Sequence, residues 1–138
     1  MPGNQHWVFL ADPADYGWKD LVAQKTAVWD GVRNSRAQAN LSRCRAGDTV
    51  LVYHTAPDKA LVGIAKVVAE AYPDPRKPEL VVVDVQPVKA LARPLALVEL
   101  KADSVLAGMS FVRMPRVAVQ PVTAEQWARV VALSGTRA

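Results

Sequence analysis

Trp29-Asp30-Gly31-Val32-Arg33-Asn34 stands between two helical runs and fits neither of them. Gly31 tolerates the positive φ that other residues resist, so Asp30-Gly31 reads as a tight turn. Asn34 then has the chemistry of an N-cap for a helix over Ser35 to Arg43. A large aromatic ahead of such a turn has no regular element to pack under, which makes Trp29 a candidate pocket wall. The Asn34 amide carries donor and acceptor together and can read a base edge as well as cap a helix. This one stretch therefore sets where a helix begins and where room is left for a ligand.

Before the turn, His6 to Leu10 reads as a strand ended by Asp12-Pro13. Tyr16 to Gln24 reads as a short helix with Leu21 and Val22 inward and Trp18 on the Leu21 side. After it, the helix over 35–43 sets Ala37, Ala39 and Leu41 against its arginines, and Gly47-Asp48 turns the chain. Strands are predicted over Val50 to His54, Leu61 to Ala71 and Leu80 to Val85. The last is apolar enough for burial on both faces. Tyr72-Pro73-Asp74-Pro75 with Lys77-Pro78 forms a stiff connection, and Pro87 ends the third run or marks a bulge. Leu97 to Lys101 and Ser104 to Ala107 read as helical turns, and Phe111 to Val119 as a strand broken at Pro115. Thr123 and Gln126 form a capping box for a closing helix striped by Trp127, Val130 and Val131. Short strands with interspersed helices predict an α+β fold: a small mixed β-barrel with helices at its rim, or an open sheet as the alternative.

The chain has 138 residues, 51% apolar and 22% charged, enough for one domain over 1–138 with a core of about 6–133. Its longest apolar runs fall well short of the about 20 residues of a membrane span, and Asp12-Pro13 interrupts any apolar leader. An intracellular, cytoplasmic monomer is expected. A single cysteine excludes an internal disulfide, and with only two histidines the composition speaks against a metal centre, so no cofactor is expected.

The net charge of +4 is mild, but its distribution is not. Arg33, Arg36, Arg43 and Arg45 lie between Asp30 and Asp48 with no acid among them. Such a row is either a solvated helix face or a grip on phosphates. Trp7, Tyr16, Trp18, Trp29 and Tyr53 crowd the same part of the chain; Trp7, Trp18 and Trp127 have core spacing. Aromatic faces beside arginines suit a stacked base and its phosphates. Catalysis has less support. Cys44 has no neighbouring histidine, no glycine-rich phosphate loop occurs, and no carboxylate pair stands out among Asp12, Asp15, Asp20 and Asp30. Asp12 could accept from an exocyclic amine or simply bond the Asp-Pro turn.

The string Trp29 to Asn34 resembles the signature of the EVE domain, a PUA-like family related to YTH. Further strings follow in that family's order: Trp7-Val8-Phe9, Asp12-Pro13-Ala14-Asp15-Tyr16, Gly47-Asp48, Val52-Tyr53-His54, Val62-Gly63-Ile64-Ala65, Ala71-Tyr72-Pro73-Asp74-Pro75, Val83-Asp84-Val85 and Val119-Gln120-Pro121-Val122. The resemblance implies a compact barrel and a pocket for one modified base, of methylated-cytosine type, in DNA or RNA. It implies a non-enzymatic reader, with Phe9, Asp12, Trp29, Asp30, Asn34, Tyr53 and His54 around the base and Arg33, Arg36, Arg43 and Arg45 on phosphates. Two departures stand out: Leu10-Ala11-Asp12 replaces a frequent lysine-serine-glutamate, and Leu80 stands where an aromatic often opens the strand. The rival readings are a PUA-like hydrolase or nuclease and a protein-interaction module with a degenerate pocket.

Overall fold

A computed structural model describes residues 5–136; residues 1–4 and 137–138 of the expected single domain lie outside the described residues. Six strands form one sheet in the order β2-β5-β4-β3-β1-β6. They are β1 (His6–Ala11), β2 (Ala27–Trp29), β3 (Thr49–His54), β4 (Ala60–Asp74), β5 (Lys77–Ala96) and β6 (Val119–Val122). β1 and β3 are parallel, and every other pair is antiparallel. A parallel pair needs a long crossover. Here it contains α1 (Trp18–Gln24), β2 and α2 (Ser35–Leu41).

Alternation along the strands sorts the core into two halves. Trp7, Phe9, Ala11, Val50 and Val52 join Leu21, Trp29, Ala37 and Leu41 on one face. Val8, Leu10, Leu51 and Tyr53 join Leu100, Phe111 and Val130 on the other, under α3 (Leu97–Ala102), α4 (Ser110–Arg113) and α5 (Ala124–Leu133). Burial on both faces is why β1 and β3 read as unbroken apolar runs. Full burial of a ring such as Phe9 contributes about 1.5–3 kcal/mol.

The sheet is open; the expected closure into a barrel does not occur in the ladders. β2 and β6 remain its edges, and α2 lies across the gap. Asn40 Nδ2 donates to the Val119 carbonyl at 2.8 Å, and Gln38 Nε2 donates to the carbonyls of Val32 and Val81 at 2.7 and 3.1 Å. Gln38 Oε1 accepts from the Val81 amide at 2.8 Å. Side-chain amides of a helix thus take main-chain groups on both sides of the gap, and the edge strands are only three and four residues long.

Other expectations are corrected in detail. The turn before Asp30 contains β2, whose residues Ala27 and Trp29 pair with Val85 and Val83 of β5. The stiff connection is instead the end of a long hairpin in which Asp74 pairs with Lys77 and only Pro75-Arg76 turn. Pro87 does mark a bulge, since Ala65 faces Pro87 while Ile64 faces Lys89. The strand expected over Phe111 to Val119 is α4 followed by an irregular segment; Phe111 is buried from the helix, and Gln120 Nε2 holds the Met114 and Val117 carbonyls at 2.7 and 2.8 Å. Val22 faces solvent, because a helix of seven residues has room to bury Leu21 and little else. The capping box of α5 forms as read, with Thr123 Oγ1 accepting from the Gln126 amide at 3.1 Å and Gln126 Oε1 accepting from the Thr123 amide at 3.0 Å. Trp127 stacks on His6 at 4.6 Å.

Gly63 of β4 is required by a close approach. A Cβ there would lie 2.6 Å from three ring carbons of Trp18, which rests on it. Gly63→Ala should therefore destabilise the domain by about 1–3 kcal/mol, lowering Tm by roughly 3–10 °C. The same change in a Trp18→Leu background should cost much less. An equal loss in both backgrounds, read by thermal unfolding, would assign the strain elsewhere.

Candidate functional site

A cleft of about 870 Å³ opens where β1 ends, between α1, β2, the segment leading into α2 and the tip of the β4–β5 hairpin. Its aromatic wall is Trp29, the last residue of β2. The indole packs tilted on Phe9 at 5.3 Å and meets the Tyr16 ring edge-on at 6.2 Å. Beyond it Gly31 takes a φ of +75°, the turn read from the sequence. Asn34 caps α2, its Oδ1 accepting from the Ala37 amide at 3.0 Å, and its NH₂ has no partner among the described residues.

Charge around the cleft is mixed. Asp12, Asp15, Asp30 and Asp74 line it together with Arg33, Arg76 and Arg116. Two of the carboxylates are already engaged: Asp12 Oδ1 accepts from the Ala14 amide at 2.9 Å, and Asp74 Oδ1 from the Arg76 amide at 2.9 Å. Among the described residues, Asp15 and Asp30 have no side-chain partner. Among the described residues, the three cleft arginines form no ion pair. Those arginines that do, Arg45 with Glu70, Arg93 with Glu99 and Arg129 with Asp103, do not line it.

Of the base-site residues expected from sequence, Asp12, Trp29, Asp30 and Asn34 line the cleft; Phe9, Tyr53 and His54 do not. Phe9 is fully buried behind Trp29 and supports the wall from inside. Tyr53 alternates with Leu51 onto the opposite face, where it packs on Phe111 at 4.8 Å and burial pushes its hydroxyl pKa up. His54 spends both ring nitrogens on structure. Its Nε2 accepts from the Trp18 amide at 2.9 Å, so Nδ1 carries the proton donated to Asp58 Oδ2 at 2.9 Å.

The four arginines expected on phosphates are divided. Arg33 lines the cleft, and Arg36 donates to Met114 Sδ at 3.0 Å from the first turn of α2. Arg43 and Arg45 lie past the other end of that helix, around a separate depression of about 320 Å³. Cys44 beside them is buried, and burial, reinforced by Asp48, pushes its thiol up to about 12 against the pull of Arg43. A thiol in that state is no nucleophile at neutral pH.

Sequence reading missed Asp15, Tyr16, Arg76 and Arg116 as cleft residues. Tyr16 stood among the clustered aromatics and Asp15 among the acids, but nothing local marked Arg76 or Arg116, whose place depends on what the hairpin tip and the segment after α4 reach. No group of His, Cys, Asp or Glu among the described residues is arranged to hold a metal ion. No helix among them is long and apolar enough to cross a membrane.

Comparison with known proteins follows the same outline. The EVE domain model matches residues 5–133. Human thymocyte nuclear protein 1 is 28% identical over 94% of this chain and 74% of its own length. A Rhodopseudomonas palustris protein solved by NMR superimposes with a TM-score of 0.91 at 37% identity, covering 95% of this chain and 93% of that one. The human THYN1 protein in complex with 5-methylcytosine containing DNA superimposes with a TM-score of 0.87 at 27% identity, over 98% of this chain and 100% of that one.

Proposed function

Because the chain belongs to the EVE domain family, we propose that it is a nucleic-acid-binding module that seats a single modified base, of methylated-cytosine type, in the Trp29 cleft. The observation that carries this reading is an aromatic wall in a cleft also lined by three arginines that form no ion pair among the described residues. They come from three distant segments, at 33, 76 and 116. Stacking on an aromatic face holds any base, and unpaired guanidiniums suit the phosphates on either side of it. The human relative bound to 5-methylcytosine DNA supports the base class.

A catalytic reading finds less to work with. The cysteine is buried, and His54 is spent on the Trp18 amide and Asp58. Base reading needs neither.

Fluorescence anisotropy tests the proposal with DNA and RNA strands carrying one 5-methylcytosine or cytosine at the same position. The modified strand should bind more tightly. Reversing Arg76 and Arg116 to glutamate should weaken both strands alike and lower the salt slope by about two, near one per phosphate contact. Arg43→Glu, remote from the cleft, serves as the comparison. A slope unchanged by the double reversal, equal binding of both strands, or turnover of the bound strand would overturn the reading.

A further inference from the structure

Gln120 is 1% exposed on the edge strand β6, where an apolar side chain would be the cheaper occupant. Its amide nitrogen donates twice, to the Met114 carbonyl at 2.7 Å and to the Val117 carbonyl at 2.8 Å. Those carbonyls are the two ends of one turn, closed by the Val117 amide on the Met114 carbonyl at 3.2 Å. Its central residues, Pro115 and Arg116, are exposed, and Arg116 lines the cleft. Gln120 Oε1, by contrast, is buried with no hydrogen-bond partner among the described residues. The amide cannot turn over to relieve it, because the oxygen would then face two carbonyls. A buried acceptor left unpaired is a cost that a residue of similar shape without polar atoms would avoid. What the glutamine supplies against that cost is the clasp on the turn.

We infer that Gln120 is a positioning residue of the nucleic-acid site: by holding both ends of the Pro115-Arg116 turn it fixes Arg116 where a phosphate is met. This rests on the proposed contact of Arg116 with a phosphate. A guanidinium on a long stem loses least freedom on binding when the backbone that carries it is already fixed. The other ties on this segment act elsewhere. Arg36 donates to the Met114 sulfur, a weak acceptor at the surface. The Leu10 amide and Asn40 Nδ2 take the Ala118 and Val119 carbonyls, past the turn. Among the described residues, Gln120 is the side chain that bonds both of its ends.

Anisotropy over a salt series tests this with the full chain and a single strand carrying one 5-methylcytosine. Arg116→Gln sets the scale and should lower the salt slope by about one. Gln120→Met is similar in length but has no donor; it leaves Arg116 in the chain and should lower the slope by nearly as much. Adding Arg116→Gln to Gln120→Met should then change the slope little further, because both changes remove the same contact. A merely structural glutamine would lower Tm and leave the slope, which counts phosphate contacts and not the folded fraction. Gln120→Asn keeps the amide but is one methylene too short to span both carbonyls. It should lose part of the slope, and it carries the test where the methionine variant does not fold. A wild-type slope in the folded Gln120 variants, or losses that add in the double variant, overturns the role of Gln120 and leaves Arg116 on a phosphate. A slope unchanged by Arg116→Gln itself takes that arginine off the phosphates, and this inference with it.

Discussion

Trp29→Ala should lose stability and binding together. The indole is 9% exposed and packs with Phe9 and Tyr16, so truncation should cost about 3–5 kcal/mol, the range for a large ring deleted from a core. The same ring walls the cleft, and loss of its stacking face should lower affinity for a modified strand at least about tenfold. The sequence alone predicts a pocket wall in a turn that could be removed without harm to the fold. The structure places the ring in β2 against the core, so the two effects cannot be separated by alanine. Urea unfolding measures the first, and anisotropy below the unfolding transition measures the second. Trp29→Phe keeps an aromatic against Phe9 and gives a folded variant with a smaller stacking face, which should bind with intermediate affinity. Wild-type affinity in folded Trp29→Ala would remove Trp29 from the site, and wild-type stability would remove it from the core.

Asp48→Ala should be comparably damaging to the fold, for a different reason. The carboxylate is buried and accepts three N–H groups: the Gln5 amide at 3.0 Å, the Trp7 indole at 2.9 Å and the Arg45 amide at 2.9 Å. It ties the entry to β1, the loop after α2 and the start of β3 at one point. Alanine leaves all three donors without a partner, and one of them, the indole N–H, belongs to a fully buried ring. At about 1–3 kcal/mol for a buried donor left unpaired, the indole N–H alone should cost that much, and the two part-buried amides, which water can reach, should add less. Together they are a sizeable part of the roughly 5–15 kcal/mol that holds a domain folded. Asp48→Asn keeps one accepting oxygen but turns an NH₂ towards donors, so it should fall between. Trp7→Phe removes one of the donors, and in that background Asp48→Ala should cost less. Urea midpoints of the four variants decide the matter; purely additive losses would mean that the indole contact contributes nothing.

What was legible in the sequence was local. The Thr123–Gln126 capping box, the Asn34 cap and the Gly31 turn involve groups within three residues of each other, so their chemistry is complete in a short string. β1 and β3 were legible as strands to within one residue of their bounds. β2 was not, because three residues carry too little pattern and its strand character comes from pairing with Val83 to Val85. Tyr53 and His54 show the same limit. Their membership of a strand was readable, but which face of the sheet each would occupy was not.

The EVE family and the Trp29-to-Asn34 segment were thus determined by the sequence itself, through short motifs in a fixed order. Only the tertiary structure decided that Gln38 and Asn40 would span an open sheet, that Asp48 would gather two donors from the distant start of β1, and that the arginines of the cleft would be those at 33, 76 and 116. The physical reason is separation along the chain. Capping and turn chemistry act over a few residues, whereas the cleft is assembled by pairing across some eighty residues, and no local spacing encodes that convergence.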